Sequence, residues 1–116
     1  MRITTVQTAT TGAVGHLRTT PDGKPVCPVC GCVWPNGAEA AWSETGEAFP
    51  DGVAIVAPSW DICPCCHTEF GNEDVPDHGN SLDHVWAVLR QKWLQHVGRS
   101  ADALRQVREN LGVDVQ

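Results

Sequence analysis

The sequence lacks the apolar run of about 20 residues that a membrane-spanning helix needs, and none of its apolar segments is flanked by a basic cluster. Its first 25 residues also lack the apolar core of a secretory signal. These absences argue against a membrane protein and favour a soluble chain in the reducing cytoplasm. With 116 residues we expect one structural domain. Its core is small, so a bound metal ion or disulfides would add to its stability.

Basic side chains are missing from the middle of the sequence. No Lys or Arg lies between Lys24 and Arg90, and the formal net charge of the chain is −6. Ten carboxylates fall inside this segment: Glu39, Glu44, Glu47, Asp51, Asp61, Glu69, Glu73, Asp74, Asp77 and Asp83. Because nucleic-acid affinity comes largely from Lys and Arg, direct contact of this segment with DNA or RNA is not expected.

Cysteine, by contrast, is abundant and occurs in two Cys-x-x-Cys pairs. Two cysteines with this spacing point into one tight turn, where backbone N–H groups can hydrogen-bond the sulfurs. The sequence therefore predicts one zinc ion bound by Cys27, Cys30, Cys63 and Cys66. Three disulfides are the alternative for six cysteines, but the absence of a secretory signal and the Pro inside each pair favour the metal.

The two pairs belong to a short internal repeat. Val26–Gly31 and Ile62–His67 align position for position, and each has an aromatic residue four places after its second cysteine, Trp34 or Phe70. Gly31 suits the left-handed backbone conformation that closes such a turn. His67 takes the matching place, where a side chain is less comfortable.

Four sulfurs about 2.3 Å from Zn²⁺ complete a tetrahedral shell without a position for water, which is typical of structural zinc. We therefore expect no catalytic residue and no small-molecule substrate. Iron or a redox dithiol are the alternatives to zinc. Cys32, Cys65 and His67 are close enough in sequence to substitute for a ligand, although the simpler expectation for the two cysteines is small buried residues or spectator thiols.

Two catalytic patterns fit less well. A zinc deaminase has His-x-Glu before Pro-Cys-x-x-Cys, whereas His67-Thr68-Glu69 follows every cysteine. A thioredoxin-like site needs a helix that starts at the first cysteine, and Gly31 and Trp34-Pro35 disfavour a helix there.

The rest of the chain predicts a small α+β fold. Residues 1–24 read as a loose Thr-rich N-terminal arm or short strands, ending in a Pro21–Lys24 turn that starts a hairpin. Residues 25–80 are expected to form a zinc-ribbon-like domain with its two knuckles on β-hairpins. A Gly/Pro-rich excursion between the knuckles includes one strand candidate at Val53–Val56.

Residues 81–116 predict a pair of helices packed on the metal-bearing part. Apolar residues recur at intervals of three and four from Leu82 to Val97, with Ser81 as N-cap and Gly98 as stop. A second, more charged helix is expected to open at Ser100 and to end at Gly112.

The run Ser59–Asp74 resembles the bacterial cysteine-rich CPCC-type proteins, a zinc-ribbon-like group, and Leu89–Trp93 resembles their Leu-Arg and Trp helix. The resemblance covers roughly residues 25–97. His67 departs from the Gly usual after the second pair, and the insert between the knuckles is long for the group. The resemblance implies no established activity; an immunity or inhibitor role is a hypothesis for such proteins.

As function, the sequence favours a non-catalytic acidic module that binds a basic surface of another protein. An exposed aromatic residue with an acidic rim is the pattern expected of such a surface. The candidates are Trp42, Glu44, Glu47, Trp60, Glu69, Glu73, Asp74 and Asp77. The alternative is a nucleic-acid-associated zinc ribbon that uses the C-terminal basic residues Arg90, Lys92, Arg99, Arg105 and Arg108.

Overall fold

The computed structural model describes residues 1–9, 11–35, 37–76 and 79–114. Its elements are, in chain order, β1 Arg2–Thr8, β2 Val14–Thr19, β3 Pro25–Val26, β4 Trp42–Ala48, β5 Ala54–Pro58, α1 Leu82–His96 and α2 Ala101–Leu111. The strands form one mixed sheet in the order β3-β2-β1-β5-β4. The predicted α+β class is confirmed.

The N-terminal segment forms β1 and β2 of this sheet, so the short strands that were the alternative to a loose arm are present. β1 pairs antiparallel with β2 from Arg2↔Thr19 to Gln7↔Val14, and it pairs parallel with β5 on its other edge. Val6 and Leu17 are buried in the core. At Val6 and Gln7 the strand is paired on both edges, so this part of β1 lies in the interior of the sheet.

The strand candidate at Val53–Val56 is confirmed as β5, whereas β4 has no counterpart in the sequence analysis. β4 pairs antiparallel with β5 at the edge of the sheet. Only its first residue, Trp42, is buried, and the following residues are polar or small and mostly exposed. This strand therefore lacks the apolar alternation by which a strand is recognised.

The turn at Pro21–Lys24 joins β2 to β3 as expected. Thr20 N donates to Lys24 O at 2.9 Å, and β2 pairs antiparallel with β3. The first cysteine pair begins at Cys27, immediately after β3, the second strand of this hairpin.

Both helices lie where the sequence places them. Ser81 and Ser100 accept hydrogen bonds from His84 N and Ala103 N as N-caps, and Gly112 ends α2 with φ +66°. α1 packs against β2 because Gly15 has no side chain: a Cβ there would lie 2.8 Å from ring atoms of Trp86. Neither described helix has both the length and the apolar character needed to span a bilayer.

Candidate metal centre

The two Cys-x-x-Cys pairs form matching turns, which we call the first knuckle (27–32) and the second knuckle (63–68). Gly31 N donates to Cys27 O at 2.9 Å, and His67 N donates to Cys63 O at 2.8 Å. Gly31 and His67 both have positive φ, +82° and +60°. The internal repeat in the sequence thus corresponds to a repeated backbone structure.

Each knuckle is closed by a single β-bridge and carries one aromatic residue inward. The bridges are Val26↔Val33 and Ile62↔Glu69. The rings of Trp34 and Phe70 meet edge to face, with centroids 5.7 Å apart and an interplanar angle of 63°. This contact packs the two knuckles against each other below their sulfurs.

The knuckles bring the thiols of Cys27, Cys30, Cys63 and Cys66 together, with all four sulfurs within 4.8 Å of one another. The Sγ–Sγ distance is 3.8 Å for Cys27–Cys66 and 3.7 Å for Cys30–Cys63. A tetrahedral shell with metal–sulfur bonds of about 2.3 Å has sulfur–sulfur edges of about 3.8 Å. The cluster therefore has the ligand set and the dimensions to hold one metal ion.

The protonation of the cluster depends on burial and on hydrogen bonds between the thiols. Burial raises the pKa of Cys27, and a hydrogen bond with the Cys27 thiol raises the pKa of Cys30. Hydrogen bonds from Cys27 hold the pKa values of Cys63 and Cys66 below the ordinary range. Because a metal binds thiolates, an ion entering this cluster would displace the protons that remain on Cys27 and Cys30.

Side chains of both helices donate hydrogen bonds to the backbone of the first knuckle, a feature that sequence reasoning missed. The Arg90 guanidinium donates to Pro28 O at 2.7 Å and to Val29 O at 2.8 Å. Gln106 and Asn110, both on α2, donate from their side-chain amides to Cys30 O and Gly31 O, each at 2.9 Å. Every backbone carbonyl from residue 28 to residue 31 thus accepts a hydrogen bond from a helix side chain.

Close packing accompanies these bonds. A Cβ on Gly31 would lie 2.9 Å from the backbone oxygen of Gln106, so α2 leaves no room for a side chain there. The second knuckle differs, because Pro64, Cys65 and His67 are exposed. This asymmetry accounts for the Gly at one repeat position and the His at the other.

Two of the partner-binding candidates prove to be interior residues. Asp74 is fully buried, and its carboxylate accepts from Trp42 Nε1 at 2.7 Å, from Trp86 Nε1 at 2.9 Å and from Gly71 N at 2.6 Å. Trp42 is buried as well. The assignment of Trp42 and Asp74 to a binding surface was therefore wrong: the carboxylate joins β4, α1 and the turn after the second knuckle.

The other acidic and aromatic candidates are more accessible. Trp60 is 61% exposed, Glu44, Glu47 and Glu73 are exposed, and Glu69 is half-buried. Asp77 lies outside the described residues. An apolar groove of about 340 Å³ runs beside the Trp60 ring, and Pro58, Gly71 and Val75 contribute to its walls.

The proposed substitute ligands do not join the cluster. Cys32, Cys65 and His67 are not among the sulfur and nitrogen atoms that lie within 4.8 Å of one another. Cys32 and Cys65 instead contact each other, with their Sγ atoms 2.6 Å apart. Burial, followed by the neighbouring Cys65, raises the pKa of Cys32 to about 12.

Several C-terminal basic residues are engaged within the fold. Arg90 is partly buried behind the first knuckle. Arg105 pairs with Asp102 at 2.6 Å. Arg90 is thus held within the fold, whereas the Arg105 side chain remains exposed beside its partner.

Comparison of the chain with protein-family models, curated protein sequences and solved structures found no match. The resemblance to CPCC-type proteins therefore stays a prediction from motifs. The fold and site define an α+β protein with a four-cysteine cluster able to hold a metal ion.

Proposed function

We propose that this chain is a non-catalytic, zinc-stabilised module that binds a basic surface of another protein. The four-cysteine cluster is the observation that carries the proposal. Sulfur ligands favour zinc over the hard cations Mg²⁺ and Ca²⁺, and a complete sulfur shell has no position for water or substrate. The ion would act by holding the two knuckles together and would take no part in a reaction. In this respect the proposal matches a zinc-ribbon-like domain.

The surface around Trp60 supports the protein-binding half of the proposal. The turn that carries Glu69 and Glu73 also supplies Gly71 to the apolar groove beside the Trp60 ring. Exposed carboxylates also lie on edge strand β4, at Glu44 and Glu47. An apolar anchor with carboxylates near it suits a partner that presents an apolar group within a field of Lys and Arg.

A specific version of this role is an inhibitor or immunity protein that covers a nucleic-acid-binding or nuclease surface, with its carboxylates in place of phosphates. The alternative of direct nucleic-acid binding by the C-terminal helices has less support, because Arg90 is held against the first knuckle by hydrogen bonds to Pro28 and Val29. A reducing cytoplasm remains the proposed compartment, because a site of four metal-binding thiolates needs reduced cysteines.

The metal half is tested by elemental analysis of protein purified without added metal. We expect one zinc ion per chain, retained during gel filtration and removed by a strong chelator with loss of the folded structure. Material without stoichiometric metal, or iron in place of zinc, would contradict this half.

The partner half is tested by capture from a lysate of the source organism, followed by affinity measurements on the purified partner. We expect a basic protein whose affinity falls as salt rises, because screening weakens interactions between exposed charges. The double charge reversal Glu44→Lys with Glu47→Lys, and separately Trp60→Ala, should each weaken binding at least about tenfold.

Glu109→Lys supplies the matched control, since Glu109 is exposed on α2 and lies outside the proposed surface. This variant should bind like the wild type. Recovery of no basic protein at low salt, or binding indifferent to salt and to the Glu44 and Glu47 reversals, would refute the partner half and leave the metal half standing.

A further inference from the structure

Cys32 and Cys65 have a spacing unlike that of the metal cluster. Their Sγ atoms are 2.6 Å apart, whereas the close pairs within the cluster are 3.7 Å and 3.8 Å apart. Non-bonded heavy atoms rest about 3.5–4 Å apart, and the sulfurs of a disulfide about 2.05 Å apart. The two sulfurs are too close to be ligands of one tetrahedral ion. The backbone positions of Cys32 and Cys65 already bring them near the length of a disulfide bond.

The two cysteines come from different knuckles. Cys32 ends the first knuckle, and Cys65 lies between the two cluster cysteines of the second. The repeat places Val29 opposite Cys65 and Thr68 opposite Cys32, so the pair is not a by-product of the repeated motif. A bond between these sulfurs would join the knuckles directly, beside the metal cluster.

Access to solvent distinguishes Cys65 from the four cluster cysteines. Cys65 is exposed, whereas Cys27, Cys30 and Cys63 are buried and Cys66 is half-buried, like Cys32. A dissolved oxidant therefore reaches Cys65 before it reaches the cluster, whose thiols would in addition be held by the metal.

We propose that Cys32 and Cys65 form a reversible disulfide that ties the two knuckles together outside the metal shell. The oxidant is a low-molecular-weight disulfide such as oxidised glutathione. The Cys65 thiolate attacks one sulfur of that molecule, breaks its S–S bond and releases the first thiol. Cys32 then attacks Cys65 Sγ, gives up its proton and releases the second thiol. Two electrons pass from the cysteine pair to the oxidant, which ends as two thiols.

The disulfide has a mechanical consequence for the metal site. An ion that leaves the cluster must lose its bonds to both knuckles, because each knuckle supplies two of the four ligands, and movement of the knuckles apart would help it to do so. A covalent bond between Cys32 and Cys65 restricts that movement. The oxidised chain should therefore release its metal more slowly than the reduced chain.

The first test is thiol mapping of zinc-loaded protein equilibrated with oxidised glutathione. Wild type should lose about 2 Da, and alkylation followed by peptide mapping should place one disulfide between Cys32 and Cys65. Cys32→Ser should instead trap a glutathionyl group on Cys65, because the resolving thiol is missing. Cys65→Ser should remain unmodified, with wild-type zinc content and circular dichroism.

The second test compares zinc transfer to an excess of a chromophoric chelator before and after oxidation. Oxidised wild type should release zinc at least about tenfold more slowly than reduced wild type, and Cys65→Ser should show no difference. Thiols that stay reduced in millimolar oxidised glutathione, a disulfide that involves a cluster cysteine, or equal release rates for the two redox states would each overturn the proposal.

Discussion

Removal of the Asp74 carboxylate tests the buried contact that joins the sheet, α1 and the second knuckle. Asp74 accepts from two buried indole N–H groups, of Trp42 and Trp86, and from the partly buried Gly71 N–H. In Asp74→Ala these donors lose their acceptor. A buried donor left unsatisfied costs about 1–3 kcal/mol, so we expect the free energy of unfolding to fall by about 3–5 kcal/mol.

A loss of that size is a large part of the roughly 5–15 kcal/mol that stabilises a typical domain. Asp74→Asn should be milder, since its amide oxygen can take the place of Oδ2, to which both indoles donate. The amide nitrogen would then face Gly71 N–H, donor against donor. We expect this variant to lose about 1–2 kcal/mol.

The assay is urea unfolding followed by circular dichroism, at a fixed excess of zinc so that metal occupancy is the same for every variant. Glu73→Ala is the matched control, because Glu73 is an exposed acidic residue next to Asp74, and its loss should stay within about 0.5 kcal/mol. An Asp74→Ala midpoint within error of the wild type, or equal damage from Glu73→Ala, would refute the reasoning.

Three further predictions concern the cluster and its knuckles. Cys63→Ser should lower stability by more than about 3 kcal/mol because it removes a metal ligand, whereas Cys65→Ser under reducing conditions should be mild. Thermal melts with and without chelator check this, and equal damage would mean that the wrong sulfurs have been assigned. His67→Gly should stabilise the fold by about 0.5–1 kcal/mol, because Gly adopts a positive φ without strain. Gly31→Ala should destabilise the fold, since its Cβ would meet the Gln106 backbone. The urea midpoints of the two variants should therefore shift in opposite directions from that of the wild type. Zinc affinity should fall as pH falls. Burial raises the pKa of Cys27, and a hydrogen bond with Cys27 raises the pKa of Cys30, so both thiols are protonated before the metal binds. Metal binding must therefore release about two protons. Chelator competition between about pH 6 and 8 measures this slope, and a flat profile would contradict it.

Local signals in the sequence were sufficient for the helices and the knuckles. Ser81, Ser100 and Gly112 cap their helices through contacts within a few residues, so their roles can be predicted from sequence spacing. The Cys-x-x-Cys turns are local in the same sense. Their convergence on one cluster was predicted from chemistry, because four thiols of this spacing suit one ion.

The sheet could not be derived in this way because its decisive pairings are distant in sequence. Val6 of β1 lies opposite Ala54 of β5, a parallel pairing that no local pattern specifies. β4 is an exposed edge strand with one buried residue, Trp42, and so gives no alternating signal. The Thr-rich start of the chain resembled an arm because its partners were unknown.

Asp74 shows the same limit at the level of a single side chain. In the sequence it is one carboxylate in an acidic stretch, and its neighbour Glu73 is indeed exposed. Only the fold brings the two indole donors to Asp74. Arg90 likewise looked like part of a basic helix surface, and its contacts with Pro28 and Val29 required the packing of α1.

The unequal support of the two knuckles also affects how each of them tolerates substitution. Arg90, Gln106 and Asn110 fix the backbone of the first knuckle without any contribution from an ion. The second knuckle instead exposes Pro64, Cys65 and His67 to solvent. Sequence change should therefore be tolerated at the tip of the second knuckle and penalised where the helices contact the first.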